Sequence, residues 1–188
     1  MGGDKGLINL NRKPLIAHVA EKLELVVDEV VIVVGSNEQI NDYRKYGTRV
    51  VVDKPLGNTP LVGAYTGFVE VHGEYVFLTG GDMPLINQRI VEFLFAKVNG
   101  CDAATPTWPN GWVEPLHSVY RTKPAAEAAL RLIESGKRKL SLILDRLSDV
   151  RHIPISIIRQ IDPELYTLTD INTIEDLENV RVLFKRNK

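Results

Sequence analysis

The residues best suited to chemistry follow three short apolar runs. After Tyr75-Val76-Phe77-Leu78-Thr79 come Gly80-Gly81-Asp82-Met83-Pro84. Two glycines let the backbone pass close to a ligand, and a carboxylate at that place can hold Mg²⁺ against a phosphate. The same Asp82 can equally cap a turn or the helix that follows. After Thr48-Arg49-Val50-Val51-Val52 comes Asp53, and then a loop from Gly57 through Thr59, Pro60 and Leu61 to Gly63. That loop leads into a helix start, where backbone N–H groups meet anions or polar edges, although an ordinary strand-to-helix turn has the same composition. After Glu29-Val30-Val31-Ile32-Val33-Val34 come Gly35-Ser36-Asn37. Lys5, Arg12 and Lys13 set three cations beside the first helix start, suited to phosphate or to plain solvated surface.

Other chemistries lack their residues. The Gly-x-Gly-x-x-Gly fingerprint of dinucleotide binding is absent, and so is the Gly-Lys-Ser/Thr loop of ATPases. Ser36 lacks the Gly-x-Ser-x-Gly elbow of hydrolases. His18, His72, His117 and His152 are scattered, so no zinc spacing exists. Cys101 beside a strand start reads as a small buried hydrophobe.

The elements that must position these residues alternate in kind. The three runs, 29–34, 48–52 and 75–79, are apolar at successive positions, as expected of strands buried on both faces. Between them lie helical stretches. Pro14 stands where a first turn begins, and Leu15, Ile16, Val19 and Leu23 follow at helical spacing. Further helices are predicted over Asn37–Tyr46, closed by Gly47, over Leu61–Val71, and over Asn87–Val98, closed by Asn99-Gly100. Strand and helix in alternation with short connections predict a mainly parallel sheet covered on both sides. Beyond it, strands are predicted over 102–106, 114–120 and 151–155, and helices over 123–134, 140–147 and 174 to about 185. A loop carrying Trp108, Pro109, Asn110, Gly111 and Trp112 joins the first two of these strands.

Length and composition agree with one such unit. At ~150 residues per domain, 188 residues make a single domain. Twenty-four acidic residues against 23 basic leave a net charge of −1, which offers no bulk attraction to nucleic acid or an anionic membrane. No apolar run approaches the ~18 residues of a membrane helix, and the polar Met1-Gly2-Gly3-Asp4-Lys5 start is no secretory signal. One cysteine fits a reducing interior, so the chain reads as a soluble cytoplasmic protein.

Taken in order, these segments resemble the molybdenum cofactor guanylyltransferase family, the MobA-type enzymes of the wider nucleotidyltransferase fold. Gly3-Asp4-Lys5-Gly6-Leu7 and Arg12-Lys13-Pro14-Leu15-Ile16-Ala17-His18-Val19 look like "G-x-D-K-x-L … G-K-P-L-I-x-H-V". Asp53 through Thr59-Pro60-Leu61-Val62-Gly63 resembles "D … G-P-L-A-G", with Thr59 in place of glycine, and Gly81-Asp82-Met83-Pro84 is similar to "C-D-M-P". Pro115-Leu116-His117-Ser118-Val119-Tyr120 resembles "P-L-H-A-L-Y". Gly136-Lys137-Arg138-Lys139-Leu140 resembles "G-x-R-R-L", and Asp170-Ile171-Asn172-Thr173-Ile174-Glu175-Asp176-Leu177 resembles "N-I-N-T-P-E-D-L". The match covers essentially the whole chain, and the Pro-Leu-His and Gly-Lys-Arg-Lys segments are the ones that favour a molybdopterin acceptor.

The resemblance implies a three-layer, Rossmann-like α/β fold of the nucleotide-diphospho-sugar transferase type, with one nucleotidyltransferase domain over residues 1–188. It implies attack of the molybdopterin phosphate on the α-phosphorus of GTP with release of pyrophosphate, where positioning and charge neutralisation dominate. Asp82 would hold Mg²⁺ and Lys5 would neutralise the triphosphate, these two being the catalytic pair. Asn37 and Asp53, with Pro60, Leu61 and Gly63 of the loop, would read guanine or ribose. Asp170 and Asn172 would complete the site on the acceptor or metal side, and Lys137, Arg138 and Lys139 would meet the acceptor's phosphate or pterin carbonyl. Asn172-Thr173 with Glu175 and Asp176 also reads as a helix N-cap with a charged first turn. Alternatives are CTP or another phosphorylated acceptor, or a non-catalytic nucleotide-binding relative that partners molybdoenzyme-assembly proteins.

A further expectation follows from the resemblance. Family members carry an apolar mid-sheet strand and an "L-A-G-G-x-S-x-R-M-G" loop ahead of the segment that here begins at Gly3. The chain is therefore expected to start late, to leave two exposed strand edges and an apolar gap, and to be a weak or inactive transferase as written.

Overall fold

The β-branched runs and amphipathic stretches assemble into an α/β fold in a computed structural model that describes residues 4–46 and 49–186. A tight hairpin opens it, β1 (Asn9–Leu10) against β2 (Lys13–Pro14). Its two central residues, Asn11 and Arg12, take φ of 52° and 71°, as a turn matched to strand twist demands. Pro14 then caps α1 (Leu15–Leu23), whose Leu15, Ile16, Val19, Ala20 and Leu23 form a buried stripe. The stretch predicted as one helix over 37–46 is a 3-10 turn, Asn37–Gln39, followed by the short α2 (Ile40–Tyr43). Gly3, Gly47 and Thr48, all used in the sequence reading, lie outside the described residues.

Capping fixes the larger helices. The Thr59 side chain accepts from Val62 N–H at 3.4 Å to start α3 (Pro60–Glu70), with Pro60 in the first turn where its missing donor costs nothing. Asn87 starts α4 (Gln88–Val98) by accepting from Arg89 N–H at 3.1 Å. α5 (Thr122–Glu134) ends where Gly136 takes φ of 73°, with Gly136 N–H donating to the Ile133 carbonyl and Lys137 N–H to that of Leu132. α6 (Ile155–Ile161), a helix the sequence reading did not include, and α7 (Ile174–Arg186) complete the set.

Six longer strands form two separate sheets. β3 (Val31–Val34) pairs in parallel with β4 (Arg49–Val52). β5 (Tyr75–Thr79), β6 (Ala103–Thr107), β7 (His117–Arg121) and β8 (Val150–Pro154) make a sheet of order β5-β7-β6-β8. β6 and β8 run parallel, while β7 is antiparallel to both β5 and β6, so the sheet is mixed. The reason is length: the connection over residues 108–116 is shorter than the dozen or so residues a parallel crossover needs. One face packs on α3, α5 and the 3-10 segment Leu140–Arg146 through Phe68, Tyr120, Leu132 and Ile143. The other packs on α4 and α6 through Ile90, Leu94, Ile153 and Ile158. None of the described helices is long and apolar enough to cross a membrane.

β6 and β7 are buried along most of their length, whereas β4 and β5, whose apolar runs predict burial on both faces, are only half-buried at every residue. Among the described residues β5 pairs with β7 alone and β3 with β4 alone. Between the two sheets lies a cavity of about 1050 Å³, walled by the β3 and β5 edges, by α1 (Ile16, Val19, Leu23) and by α3 (Ala64, Gly67, Phe68). A five-residue strand ~17 Å long and ~4.8 Å wide, in a layer ~10 Å deep, fills roughly 800 Å³. The void is thus of strand size and apolar on both flanks.

Gly67 lies inside α3, and a Cβ there would meet only Val33 Cγ2, at an ordinary 3.7 Å. Gly67→Ala is therefore expected to stabilise the fold by ~1 kcal/mol from helix propensity, plus some cavity filling. A thermal midpoint higher by about 2–4 °C would register it, and a lower midpoint would show that the α3 wall of the void is drawn wrongly.

Candidate active site at the carboxyl ends of the strands

Lys5, Pro60, Gly63 and Asp82 all line one end of the cavity, the end at which β3 and β5 finish. Ligands of open α/β sheets bind at this place. Asp82 folds back over the glycine pair: a Cβ on Gly80 would fall 2.5 Å from Asp82 Oδ1, and one on Gly81 would press Ile16 Cδ1 at 3.2 Å. Only glycine at position 80 leaves the carboxylate where it is.

The segment that leads into α7 is tied to the same loop. Ile171 N–H donates to the Asp82 carbonyl at 3.0 Å, stitching the segment before α7 to the loop after β5. Thr173 and Asp176 then cap α7 reciprocally: Asp176 Oδ2 accepts from the N–H groups of Asn172 (3.0 Å) and Thr173 (2.7 Å), and Thr173 Oγ1 accepts from Asp176 N–H (3.1 Å). Capping falls to those two, which frees the Asn172 side chain. Its Oδ1 accepts from Lys5 Nζ at 2.6 Å and its Nδ2 donates to Asp170 Oδ2 at 2.6 Å. Lys5, Asn172 and Asp170 thus form one relay beside Asp82.

The electrostatics show what this cluster lacks. Burial raises the Asp82 carboxyl above the usual aspartate range against a backbone hydrogen bond that lowers it, while the Asp170 charge adds to the rise and Lys5 opposes it more weakly. Glu114, on the β6–β7 connection, is raised by burial and also feels Asp170, while the Trp108 indole N–H, donating at 2.5 Å, works against the rise. Negative charge is in excess here.

Asp53 follows β4, its N–H extending the ladder to the Val34 carbonyl at 2.8 Å. Its Oδ1 accepts from Thr66 Oγ1 at 2.9 Å, and a Cβ on Gly63 would sit 3.8 Å from both carboxylate oxygens. The carboxylate therefore lies over the first turns of α3, raised by burial against the Thr66 hydrogen bond. Asn37 is exposed in the neighbouring loop, and Pro60 is exposed at the α3 start. Leu61 is fully buried in the core, so only its backbone can face a ligand. Lys137 and Arg138 are exposed beyond the end of α5, and no hydrogen bond or ion pair among the described residues joins them to Asp82, Asp170 or Lys5.

His117 turns away from the site. It is fully buried, edge-on to Phe77 at 5.0 Å, with Nε2 at 3.0 Å from Thr167 Oγ1. The structure also brings in residues that the sequence reading passed over. Asp4, Gln39 and Tyr43 brace the segment before Lys5, Thr66 holds Asp53, and Glu114 borders Asp170. A Ser36-x-x-Gln39 spacing, the mark of a capping box, was the available signal for Gln39.

Residues 1–150 match the family described as MobA-like NTP transferase domain. The chain belongs to this family. A probable molybdenum cofactor guanylyltransferase of Methanosarcina mazei is 37% identical over 184 residues, covering 94% of this chain and 82% of that protein. A crystal structure of molybdopterin-guanine dinucleotide biosynthesis protein A from Archaeoglobus fulgidus superposes with a TM-score of 0.83 at 28% identity, covering 98% of this chain and 92% of that one. The 4-diphosphocytidyl-2C-methyl-D-erythritolsynthase of Anaerococcus prevotii shares the fold, with a TM-score of 0.73 at 14% identity and coverage of 98% of this chain and 93% of that one. This MobA-like chain is accordingly a nucleotidyltransferase with the three-layer α/β fold of nucleotide-diphospho-sugar transferases.

Burial lowers the His117 imidazole from its usual range to about 3. It stays neutral in the folded chain while an unfolded one takes a proton below about pH 6.5, so stability attributable to this residue is lost as pH falls from there. The slope is at most ~1.4 kcal/mol per pH unit. Urea midpoints of the parent chain should therefore drop from pH 7 to pH 5 relative to those of His117→Phe. Parallel pH profiles would mean that the ring is not buried neutral.

Proposed function

We propose that this chain transfers the GMP group of GTP to the phosphate of molybdopterin, releasing pyrophosphate, in the cytoplasm. The observation that carries the reading is the convergence of Asp82, Asp170 and Lys5 at the carboxyl end of β5. The name of the Methanosarcina mazei relative, a probable molybdenum cofactor guanylyltransferase, supports this choice of substrates.

An oxygen of the acceptor phosphate attacks the α-phosphorus, the bond from that phosphorus to the bridging oxygen of the β-phosphate breaks, and pyrophosphate leaves with the electron pair. Every participant is an anion, so the residues must orient oxygens and offset charge. Asp82 and Asp170 fit a Mg²⁺ site, because that ion takes one or two carboxylates and fills its remaining positions with phosphate and water. Among the described residues no group of three or more acidic, histidine or cysteine side chains forms a protein-only cage. When bound, Mg²⁺ would withdraw charge from the α-phosphate and the incoming oxygen. Lys5, steadied by Asn172, presents its ammonium to the triphosphate.

Asp53 keeps Oδ2 available after Thr66 engages Oδ1, and a carboxylate there suits the N1–H and N2–H₂ edge of guanine, with Asn37 in the adjacent loop. Pro60, Leu61 and Gly63 contribute the α3 start as a backbone surface. Lys137 and Arg138, exposed cations, are assigned to the acceptor's anionic groups, and Asp170 with Asn172 faces that same side.

Pyrophosphate release from the full chain, with GTP against CTP and with or without molybdopterin and Mg²⁺, tests the reading. Slow turnover suffices, since the readout is a ratio. Release should require both Mg²⁺ and acceptor, with GTP preferred, and Asp82→Ala should lower it by roughly 10²-fold or more at an almost unchanged melting temperature. Equal use of CTP would remove Asn37 and Asp53 from base reading. Full activity of Asp82→Ala, or its collapse, would remove Asp82 from the site.

A further inference from the structure

Lys5 belongs to no long element. Lys5–Leu7 is a single 3-10 turn, and one carboxylate, that of Asp4, holds it in place. Asp4 Oδ1 accepts from Gly6 N–H at 3.2 Å and from the Tyr43 hydroxyl, while Oδ2 accepts from Gln39 Nε2 at 2.5 Å. Gln39 is itself fastened, its Oε1 accepting from the N–H groups of Gly35 at 2.9 Å and Ser36 at 3.1 Å. The loop after β3 and the helix α2 therefore grip the segment before Lys5 across more than thirty residues of chain.

Sterics close the same grip. Gly6 is buried, and a Cβ there would lie 2.4 Å from the Tyr43 hydroxyl oxygen. Tyr43 is 6% exposed, and burial together with the Asp4 charge raises its hydroxyl well above the usual phenol range, so it remains a donor. A lysine side chain is long and rotamer-rich, and its ammonium has a defined place only when both backbone and head are held. Here Asn172 holds the head and Asp4 holds the backbone.

We propose that Gln39 and Tyr43 are positioning residues that act through Asp4 to set where the Lys5 ammonium meets the nucleotide's phosphates. The proposal rests on the reading of Lys5 given above. Neither residue touches substrate, so their effect should vanish when Lys5 is absent.

A double-mutant cycle in the full chain separates this from a merely structural brace. GTP affinity with Mg²⁺ is measured for the parent chain, Tyr43→Phe, Lys5→Ala and the double variant, alongside hydrogen exchange of the Gly6 amide. Tyr43→Phe removes only the hydroxyl, and should speed Gly6 exchange and weaken GTP about tenfold, the scale of one hydrogen bond to a charged acceptor. In the Lys5→Ala background the same change should leave affinity unaltered. Equal weakening in both backgrounds, or unchanged exchange and affinity, would overturn the proposal. Gln39→Leu supplies a second variant on the other carboxylate oxygen and should reproduce the pattern. If Lys5→Ala binds GTP normally, the functional reading of Lys5 fails and positioning with it, whereas the exchange rates still report whether the Asp4 grip exists.

Discussion

Two carboxylates, Asp82 and Asp170, stand near each other in a partly buried place, and the fold must hold them there against their repulsion. The restraint is chiefly apolar. Leu10 and Leu15 from the start of the chain and Ile171, Leu177 and Val180 from its end form one buried cluster, which seats α7 on the β1–β2 hairpin and α1. Ile171 belongs to that cluster and also donates its N–H to the Asp82 carbonyl. Packing of residues distant in sequence thus fixes the spacing of the acids, and the Asn172 bridge to Lys5 adds the local countercharge. A pair kept in this state carries a repulsion that a bound cation would relieve, which is the ground for the proposed Mg²⁺ site.

The split sheet connects that arrangement to dynamics. α1 and α3 flank the cavity between β3 and β5, and both carry parts of the site: Ile16 of α1 abuts Gly81, and Gly63 of α3 lies under Asp53. Strand edges that have no ladder partner among the described residues, and half-buried side chains along β5, are marks of a region that opens at low local cost. The antiparallel β7, by contrast, is sealed on both faces and anchors the rigid half through Val119 and Tyr120. The candidate site residues therefore sit at the border between the four-stranded sheet and the β3–β4 pair.

Much of this was legible in the sequence where local rules dominate. The run 75–79 forms a strand as read, because its β-branched and aromatic residues are a local signal, although its residues are half-buried where the pattern predicts burial on both faces. The helices that begin after Pro14, near Leu61 and at Asn87 are likewise found within a residue or so of where the sequence places them, and Thr59 supplies the cap of the second. The stretch 37–46 misled, since its helical spacing carries few apolar residues and tertiary contacts of Gln39 and Tyr43 with Asp4 set its shape instead. His117 shows the limit of motif reading: β7 is covered on both faces, so a histidine in it is enclosed whichever way it points, and only the strand's central place in the sheet reveals this. The dual potential of Asn172 and Thr173 could be resolved only once Asp176 was seen to cap through Thr173, leaving Asn172 to bridge Lys5 and Asp170.

The central claim, that Asp82 and Asp170 act together as the seat of a divalent cation shared with the nucleotide, meets its most direct test in calorimetry. GTP is titrated into the full chain and into Asp170→Asn, each with Mg²⁺ and with a chelator. The account predicts that Mg²⁺ tightens GTP binding at least about tenfold in the parent chain, as expected for a charge relieved by a cation, and that Asp170→Asn loses most of that gain. Identical affinity with and without Mg²⁺ in the parent chain would contradict it.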